Sequence, residues 1–209
     1  MRPRVTLKLA TSLDGRIAIA SGESKWITGE TARLEGRRLR AAHDAILVVV
    51  ETVLADDPEL TVRLPGRSVD QPLRVVLDSR LRTPPTARVA LGDTLILTAS
   101  EPAPIGSARV ERVDAPEGRP SPEAALQAIV RAGARSVLIE GGGQVAASFL
   151  KAGLVDRIEW FRAPILLGGE GRPCVAALSL AKLADAPKFR RLSAEASGDD
   201  LWERYDAVR

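Results

Sequence analysis

The segment Glu140-Gly141-Gly142-Gly143 places a carboxylate directly before three consecutive glycines. The apolar residues at 136–139 predict a buried strand before it, and the spacing of apolar residues at 144–151 predicts a helix after it. Glycines let the backbone approach a ligand closely, and the free N–H groups at a helix start attract phosphate. Because the full G-x-G-x-x-G spacing is absent, the segment alone fits a phosphate cradle and a turn that binds nothing equally well.

A second segment that could bind phosphate follows the predicted strand at 72–77. Ser79, with Arg80 or Arg82, could hold the 2′-phosphate of NADP, because a guanidinium group matches the geometry of phosphate. Asp78 argues for NAD instead, since an acid at such a position usually hydrogen-bonds the ribose of that cofactor. The residues alone therefore leave both cofactors open.

Few side chains suit metal binding or nucleophilic catalysis. The chain has one histidine, His43, and one cysteine, Cys174, so a metal site of His and Cys ligands is not expected. His43 lies at a predicted helix-to-strand junction, where a structural role is commoner than a catalytic one, and Cys174 is expected to be a small buried residue. A nicotinamide cofactor brings its own hydride, so reduction remains open to such a protein.

The composition, 45% hydrophobic and 27% charged, is that of a globular protein. No apolar run reaches about 18 residues, the N-terminus is a poor signal peptide, and a single cysteine fits a reducing compartment. We therefore expect a cytoplasmic protein with no membrane segment. The net charge of +3 favours a nucleic-acid-binding protein as an alternative. Aromatic residues make up only 3% of the chain, however, and the arginines are spread along it, so nucleic acid is not the expected partner.

Strand and helix patterns alternate along the chain, which predicts an α/β domain with helices on both faces of a mostly parallel sheet. Helices are expected to begin after Thr28 and Ser121, each a good N-cap residue. A C-terminal hairpin at 189–208 makes the sheet mixed, and the length fits a single domain over residues 1–209. The predicted strands before the hairpin lie at 4–10, 44–50, 72–77, 94–98, 109–113, 136–139 and 157–163.

Polar segments follow three of these strands, at 51–57, 78–80 and 140–143. In parallel sheets, ligands bind in a crevice beyond the carboxyl ends of the strands. We therefore expect these three segments to lie near one another and to contribute to one site.

Several longer motifs resemble those of one family. They occur at 8–15 (KLATSLDG), 21–28 (SGESKWIT), 52–63 (TVLADDPELTVR), 76–79 (VLDS), 140–142 (EGG), 153–156 (GLVD) and 163–168 (APILLG). In these motifs the chain resembles the reductase domain of the bacterial bifunctional riboflavin-biosynthesis deaminase/reductase. The matches run in order over nearly the whole chain.

The resemblance implies a dihydrofolate-reductase-like, three-layer α/β/α fold with a mixed, mostly parallel central sheet and a C-terminal antiparallel hairpin. It implies a homodimer that uses NADPH to reduce 5-amino-6-(5-phosphoribosylamino)uracil to the ribitylamino form in riboflavin biosynthesis. The cofactor contacts that it implies are Ala10, Trp26, Thr52, Asp56, Ser79, Gly142, Gly143, Gln144, Val145 and Ala146. The substrate contacts that it implies are Ser24, Arg40, Leu60, Arg63 and Glu140.

These assignments have physical roles and competing interpretations. Arg40 and Arg63 suit a 5-phosphate, being permanently charged and able to donate in a fork, although an arginine often only faces solvent. Lys8 and Glu140 are the catalytic candidates: Lys8 to polarise the sugar or assist proton transfer, and Glu140 to accept hydrogen bonds from ribose hydroxyls or the pyrimidine. Lys8 could equally be an edge-strand charge that prevents aggregation. Trp26 offers a flat wall to the nicotinamide, or it is a core residue.

The zinc deaminase domain that precedes this domain in the family carries H-x-E and P-C-x-x-C, and neither motif occurs in these 209 residues. A separate deaminase or a longer chain would then supply that activity. Drift to another substrate is a further alternative. The protein would in that case be a related dihydrofolate-reductase-like NADPH reductase acting on a different pterin, pyrimidine or carbonyl compound.

Overall fold

The computed structural model describes residues 2–63, 66 and 69–208. The chain forms two compact units: the first comprises Met1–Arg4 and Arg38–Gly141, and the second comprises Val5–Arg37 and Gly142–Arg209. Each unit thus draws on two separate stretches of the chain, and the single reductase domain expected from the sequence stays a prediction.

Strands and helices follow one another in the order β1 (Arg4–Thr11), β2 (Arg16–Ala18), α1 (Glu30–Ala41), β3 (Ala45–Val49), α2 (Val50–Asp56), β4 (Leu73–Leu77), β5 (Thr94–Thr98), β6 (Arg109–Arg112), α3 (Pro122–Arg131), β7 (Ser136–Glu140), α4 (Gly143–Lys151), β8 (Arg157–Arg162), β9 (Arg172–Pro173), β10 (Phe189–Ser197) and β11 (Asp200–Ala207). Short 3-10 turns lie at Arg88–Ala90 and Leu183–Asp185. The predicted strands and the C-terminal hairpin are confirmed. Their observed ends lie within one or two residues of the predicted ends.

The first unit contains a parallel sheet in the order β7-β3-β4-β5-β6. Consecutive side chains of β3, β4 and β5 are buried, as expected for apolar runs covered on both faces. Val49 pairs with Leu77, and Leu47 pairs with Ile139. This register brings the carboxyl ends of β3, β4 and β7 to one edge of the sheet.

The second unit pairs β1 with β8 in parallel and β8 with the antiparallel hairpin β10–β11. Trp202 stacks on Phe161 with ring centroids 5.3 Å apart and donates from Nε1 to Glu159 at 2.8 Å. Burial raises the pKa of the Glu159 carboxyl above its ordinary value. The predicted α/β class, with mixed, mostly parallel pairing and a C-terminal antiparallel hairpin, is confirmed.

The two predicted helix caps have different outcomes. Ser121 caps α3 as expected, because its hydroxyl accepts from Ala124 N–H at 3.2 Å. The prediction for Thr28 is wrong: α1 begins at Glu30, and the N–H of Arg33 donates to the carbonyl of Gly29. Gly29 therefore precedes the helix, and its own N–H donates to the carboxylate of Asp200 at 2.7 Å.

The start of α4 packs tightly on the segment 173–176. The carbonyl of Gly143 accepts from Ala176 N–H at 2.9 Å, and a Cβ on Gly143 would lie 2.4 Å from the carbonyl oxygen of Pro173. Gly143 therefore has a packing reason to be glycine that does not depend on any ligand.

We expect Gly143→Ala to lower the free energy of unfolding by about 1–3 kcal/mol, because a backbone carbonyl cannot move away as a flexible side chain can. The control is Gly169→Ala, where an added Cβ would meet no described atom within 4 Å and φ is not positive. Urea unfolding of both variants measures the difference. Equal unfolding free energies for the two variants would contradict this interpretation of the packing.

Candidate functional site

At the carboxyl edge of the first unit, the end of β7 touches the start of α2. A Cβ on Gly141 would lie 2.9 Å from Thr52 Oγ1, and Gly141 has φ +124°, which favours glycine. Two of the three polar segments that were expected to lie near one another therefore do so within this unit. Thr52, a predicted cofactor contact, lies directly beside the residue that follows Glu140.

Arg40 and Glu140 form a bidentate ion pair at the same edge. Arg40 Nε donates to Glu140 Oε1 and Arg40 Nη2 donates to Oε2, each at 2.7 Å. Their side chains are only 24% and 12% exposed, and attraction to Glu140 raises the pKa of the Arg40 guanidinium. Arg40 lies in the last turn of α1, and its Nη1 carries two further N–H donors. The pair can present donors of fixed orientation to an anion or a hydroxyl group.

His43 and Cys174 have the structural environments that the sequence suggested. His43 Nδ1 lies 2.7 Å from the carbonyl oxygen of Leu39, which only accepts, so Nδ1 carries the proton. Burial lowers the pKa of His43 below its ordinary value and so favours the neutral ring. Cys174 is buried, as predicted, and burial raises the pKa of its thiol. Within the described residues, no group of three or more His, Cys, Asp or Glu side chains could hold a metal ion.

The chain after α2 has an unusual backbone. Asp57 has φ +40° and Leu60 has φ +56°, a conformation that is strained for a bulky side chain. Leu60 is only 4% exposed and packs in a core cluster with Val53 and Val76. A contact between Leu60 and the substrate would therefore come from its backbone.

Arg63, a predicted substrate contact, is 72% exposed and pairs with Glu59. The carboxylate of Glu59 also accepts from Arg88, and the backbone N–H of Arg88 donates to Asp57 at 2.9 Å. The sequence reasoning missed Glu59 and Arg88. Glu59 lies inside the motif at 52–63 without an implied role, and Arg88 lies outside every motif, so no sequence signal joined them.

The segment after β4 contains both a buried acid and a candidate phosphate contact. Asp78 is fully buried, and its Oδ2 accepts from the N–H and the hydroxyl of Thr83, each at 2.7 Å. Asp78 therefore has a structural task, and its presence is not an argument for NAD. The carbonyl of Ser79 accepts from Ser100 Oγ at 3.0 Å, which fixes the backbone there. Arg82 pairs with Glu51.

In the second unit, Lys8 and Ala10 lie on β1. Lys8 is half-buried, with Nζ 5.9 Å from the centroid of the Phe161 ring. A Cβ on Gly36 in α1 would lie 3.8 Å from the same Nζ, so the ammonium group lies close under the helix. This enclosed position does not fit the alternative of an edge-strand charge that faces solvent.

Trp26 is 72% exposed, so the alternative of a core tryptophan is wrong. Its φ is +69°, and the guanidinium carbon of Arg33 lies 4.4 Å from the ring centroid. This cation–π contact holds one face of an exposed indole ring. Ser24, in the same loop, is half-buried.

The predicted cofactor segment at the start of α4 offers backbone donors. Gly142, the N-cap, has φ +56°, and the first N–H groups of a helix have no partner inside it. Val145 and Ala146 bury their side chains, and Ala146 N–H donates to the carbonyl of Gly142 at 3.1 Å. The donors that a phosphate could use are thus the N–H groups of Gly143, Gln144 and Val145. Asp56, another predicted cofactor contact, is exposed at the end of α2.

Comparisons with known proteins confirm the resemblance. The family model described as the RibD C-terminal domain matches residues 3–202. The chain is 42% identical to the riboflavin biosynthesis protein RibD of Mycobacterium tuberculosis, over 95% of this chain and 53% of that protein. The chain spans about half the length of the curated RibD proteins it matches.

Two further similarities extend over the whole chain. It is 38% identical to the 2,5-diamino-6-ribosylamino-4(3H)-pyrimidinone 5′-phosphate reductase of Methanothermobacter thermautotrophicus, over 98% of each chain. The solved structure of Acinetobacter baumannii RibD superposes with a TM-score of 0.87 at 32% identity, over 99% of this chain and 58% of that one. This chain belongs to the RibD C-terminal domain family.

Proposed function

We propose that this protein is an NADPH-dependent oxidoreductase of riboflavin biosynthesis that reduces 5-amino-6-(5-phosphoribosylamino)uracil to its ribitylamino form. The observation that carries the proposal is the bidentate Arg40–Glu140 ion pair (the Arg40–Glu140 fork) at the carboxyl edge of the first unit. Both residues are substrate contacts by family resemblance, and the fork gives a phosphorylated sugar a fixed set of donors.

Two segments of the chain support the proposed dinucleotide contacts. The start of α4, where Gly142 is the N-cap and Gly143 the first helical residue, offers free N–H groups to a pyrophosphate. Ser79 has a fixed backbone, and Arg82 is engaged by Glu51, so we assign the 2′-phosphate to Ser79 with Arg80. Thr52 and Asp56 on α2, with Ala10 and Trp26, complete the proposed contacts. NADPH, when bound, supplies the hydride.

The reaction needs one proton as well as that hydride. Reduction of the ring-opened imine form adds hydrogen to C1′ and a proton to the attached nitrogen, and ring opening leaves the 4′ oxygen as a hydroxyl. Lys8 is our candidate for polarising the sugar or moving that proton. Arg40, Arg63 and the backbone of Leu60 bind the substrate, with Ser24 and Glu140. Positioning and fixed charges then provide most of the catalysis.

We further propose a homodimer that works in the cytoplasm, with the preceding deamination performed by a separate protein or by a further domain. Within the described part of the chain, no helix is long and apolar enough to cross a membrane. A second candidate function is reduction of the diamino compound before it is deaminated. The name of the Methanothermobacter relative specifies such a diamino substrate.

Purified protein should oxidise NADPH when 5-amino-6-(5-phosphoribosylamino)uracil is supplied, measured as loss of NADPH absorbance. The 2,5-diamino compound, dihydrofolate and NADH are run in parallel. Faster turnover of the diamino compound would select the second candidate. Activity on dihydrofolate with none on either phosphoribosyl compound would overturn the proposal in favour of a different pterin reductase.

Glu140→Gln should raise the KM for the phosphoribosyl substrate by roughly ten- to a hundredfold, because the ionic fork that orients Arg40 is worth about 1.5–3 kcal/mol. The Kd for NADPH should stay the same. The matched control is Glu111→Gln, which breaks the exposed pair of Glu111 with Arg131. Thermal unfolding of both variants separates a loss of fold from a loss of binding. An unchanged KM in a folded Glu140→Gln protein would remove Glu140 from the substrate site.

A further inference from the structure

One carboxylate oxygen in the first unit is shared by two arginines. Oε2 of Glu59 accepts from Nη2 of Arg63 and from Nη2 of Arg88. Two guanidinium groups that meet on one oxygen atom lie within hydrogen-bonding distance of a common point. A single anion placed at that point could therefore bind both.

The surroundings of Glu59 add positive charge and rigidity. Arg74, which is buried, donates to the carbonyl oxygen of Glu59 at 3.2 Å. The backbone N–H of Arg88 donates to Asp57 at 2.9 Å, so the chain that carries Arg88 is tied to the chain that carries Glu59. The position of Arg88 relative to Glu59 is thus set by this hydrogen bond as well as by the shared carboxylate.

The backbone between Asp57 and Leu60 is held in a strained form. Both residues have positive φ, and the burial of Leu60 in the core keeps the chain in this conformation. Strain of this kind persists only where the surrounding structure enforces it, and it concentrates at ligand-binding segments. Here it shapes the turn that brings Arg63 back onto Glu59.

Ordinary surface ion pairs in this chain have a different form. Arg112 pairs with Glu101 and Arg131 pairs with Glu111, one cation to one anion, all on exposed side chains. At Glu59, two exposed guanidinium groups share a carboxylate that is 30% exposed. One carboxylate cannot neutralise two cations, whereas a phosphate dianion can.

We propose that Arg88 binds the phosphate group of the substrate together with Arg63, and that Glu59 is a positioning residue that holds the two guanidinium groups together until phosphate replaces it. The inference rests on the proposed function, since it takes the substrate to be a sugar phosphate. It adds a residue to the site and assigns the role of Glu59.

The test is the affinity of the whole protein for ribose 5-phosphate, measured by calorimetry, with ribose as the unphosphorylated comparison. Arg88→Ala should weaken binding of ribose 5-phosphate by roughly ten- to a hundredfold, as expected for lost charge-assisted hydrogen bonds. The matched control Arg112→Ala, which removes an arginine of similar exposure, should leave this affinity unchanged. Glu59→Gln should bind ribose 5-phosphate at least as tightly as the wild type, because it removes a competing anion. A purely structural Glu59 would give the opposite sign.

Besides weaker binding by Glu59→Gln, three outcomes overturn the inference. The wild type could bind ribose 5-phosphate no better than ribose, or Arg88→Ala could bind it as tightly as the wild type. The third is a loss of NADPH-over-NADH preference in Arg88→Ala with ribose 5-phosphate binding intact, which would assign the arginine pair to the cofactor. Failure of the proposed function would give a different experimental result. In that case ribose 5-phosphate binding would still depend on Arg88, but the phosphoribosyl pyrimidine would not support NADPH oxidation.

Discussion

The parallel pairing of β3 with β4 and β7 decides which side chains the first unit can offer to a ligand. These strands are buried on both faces, so their interiors are mostly apolar, and the ionisable Arg74 inside β4 is accommodated by donating to the carbonyl of Glu59. Polar groups appear where the strands stop, and a common direction puts those ends at one edge. Glu140 and Asp78 both occupy such positions, and Glu140 forms a bidentate ion pair with Arg40 there. Asp78 is turned inward and bonded by Thr83.

The Arg40–Glu140 pair differs physically from the surface pairs of the chain. Exposed pairs such as Arg109 with Asp93 contribute about 0–1 kcal/mol, because water screens them and the side chains lose entropy. Arg40 and Glu140 are mostly buried, so each loses hydration that only good geometry can offset. A half-buried ion pair is therefore a poor source of stability compared with apolar packing. Its presence at a strand end is consistent with the substrate contact that we propose for it.

Local sequence patterns predicted most of the fold, and distant contacts account for the errors. Apolar runs located β3, β5 and β7 because burial on both faces leaves a clear signature. The start of α1 was predicted wrongly: the helix begins one residue later, after Gly29, whose N–H donates to Asp200 171 positions away. Contacts of that range leave no trace in local sequence.

The candidate site was likewise predictable in its residues but not in the contacts between them. The family resemblance implied Arg40, Glu140 and Arg63 as substrate contacts, but it did not reveal that the first two bind each other or that Arg63 shares Glu59 with Arg88. For Leu60, the motif suggested a contact, whereas the positive φ and the buried side chain restrict that contact to the backbone. From the sequence, the three consecutive glycines fitted a phosphate cradle and a turn that binds nothing equally well. The structure gives each glycine its own structural reason, since Gly141 avoids Thr52, Gly142 needs positive φ, and Gly143 avoids Pro173. Glycine at these positions therefore does not by itself indicate a phosphate site, and the proposed phosphate contact rests on the N–H groups at the start of α4.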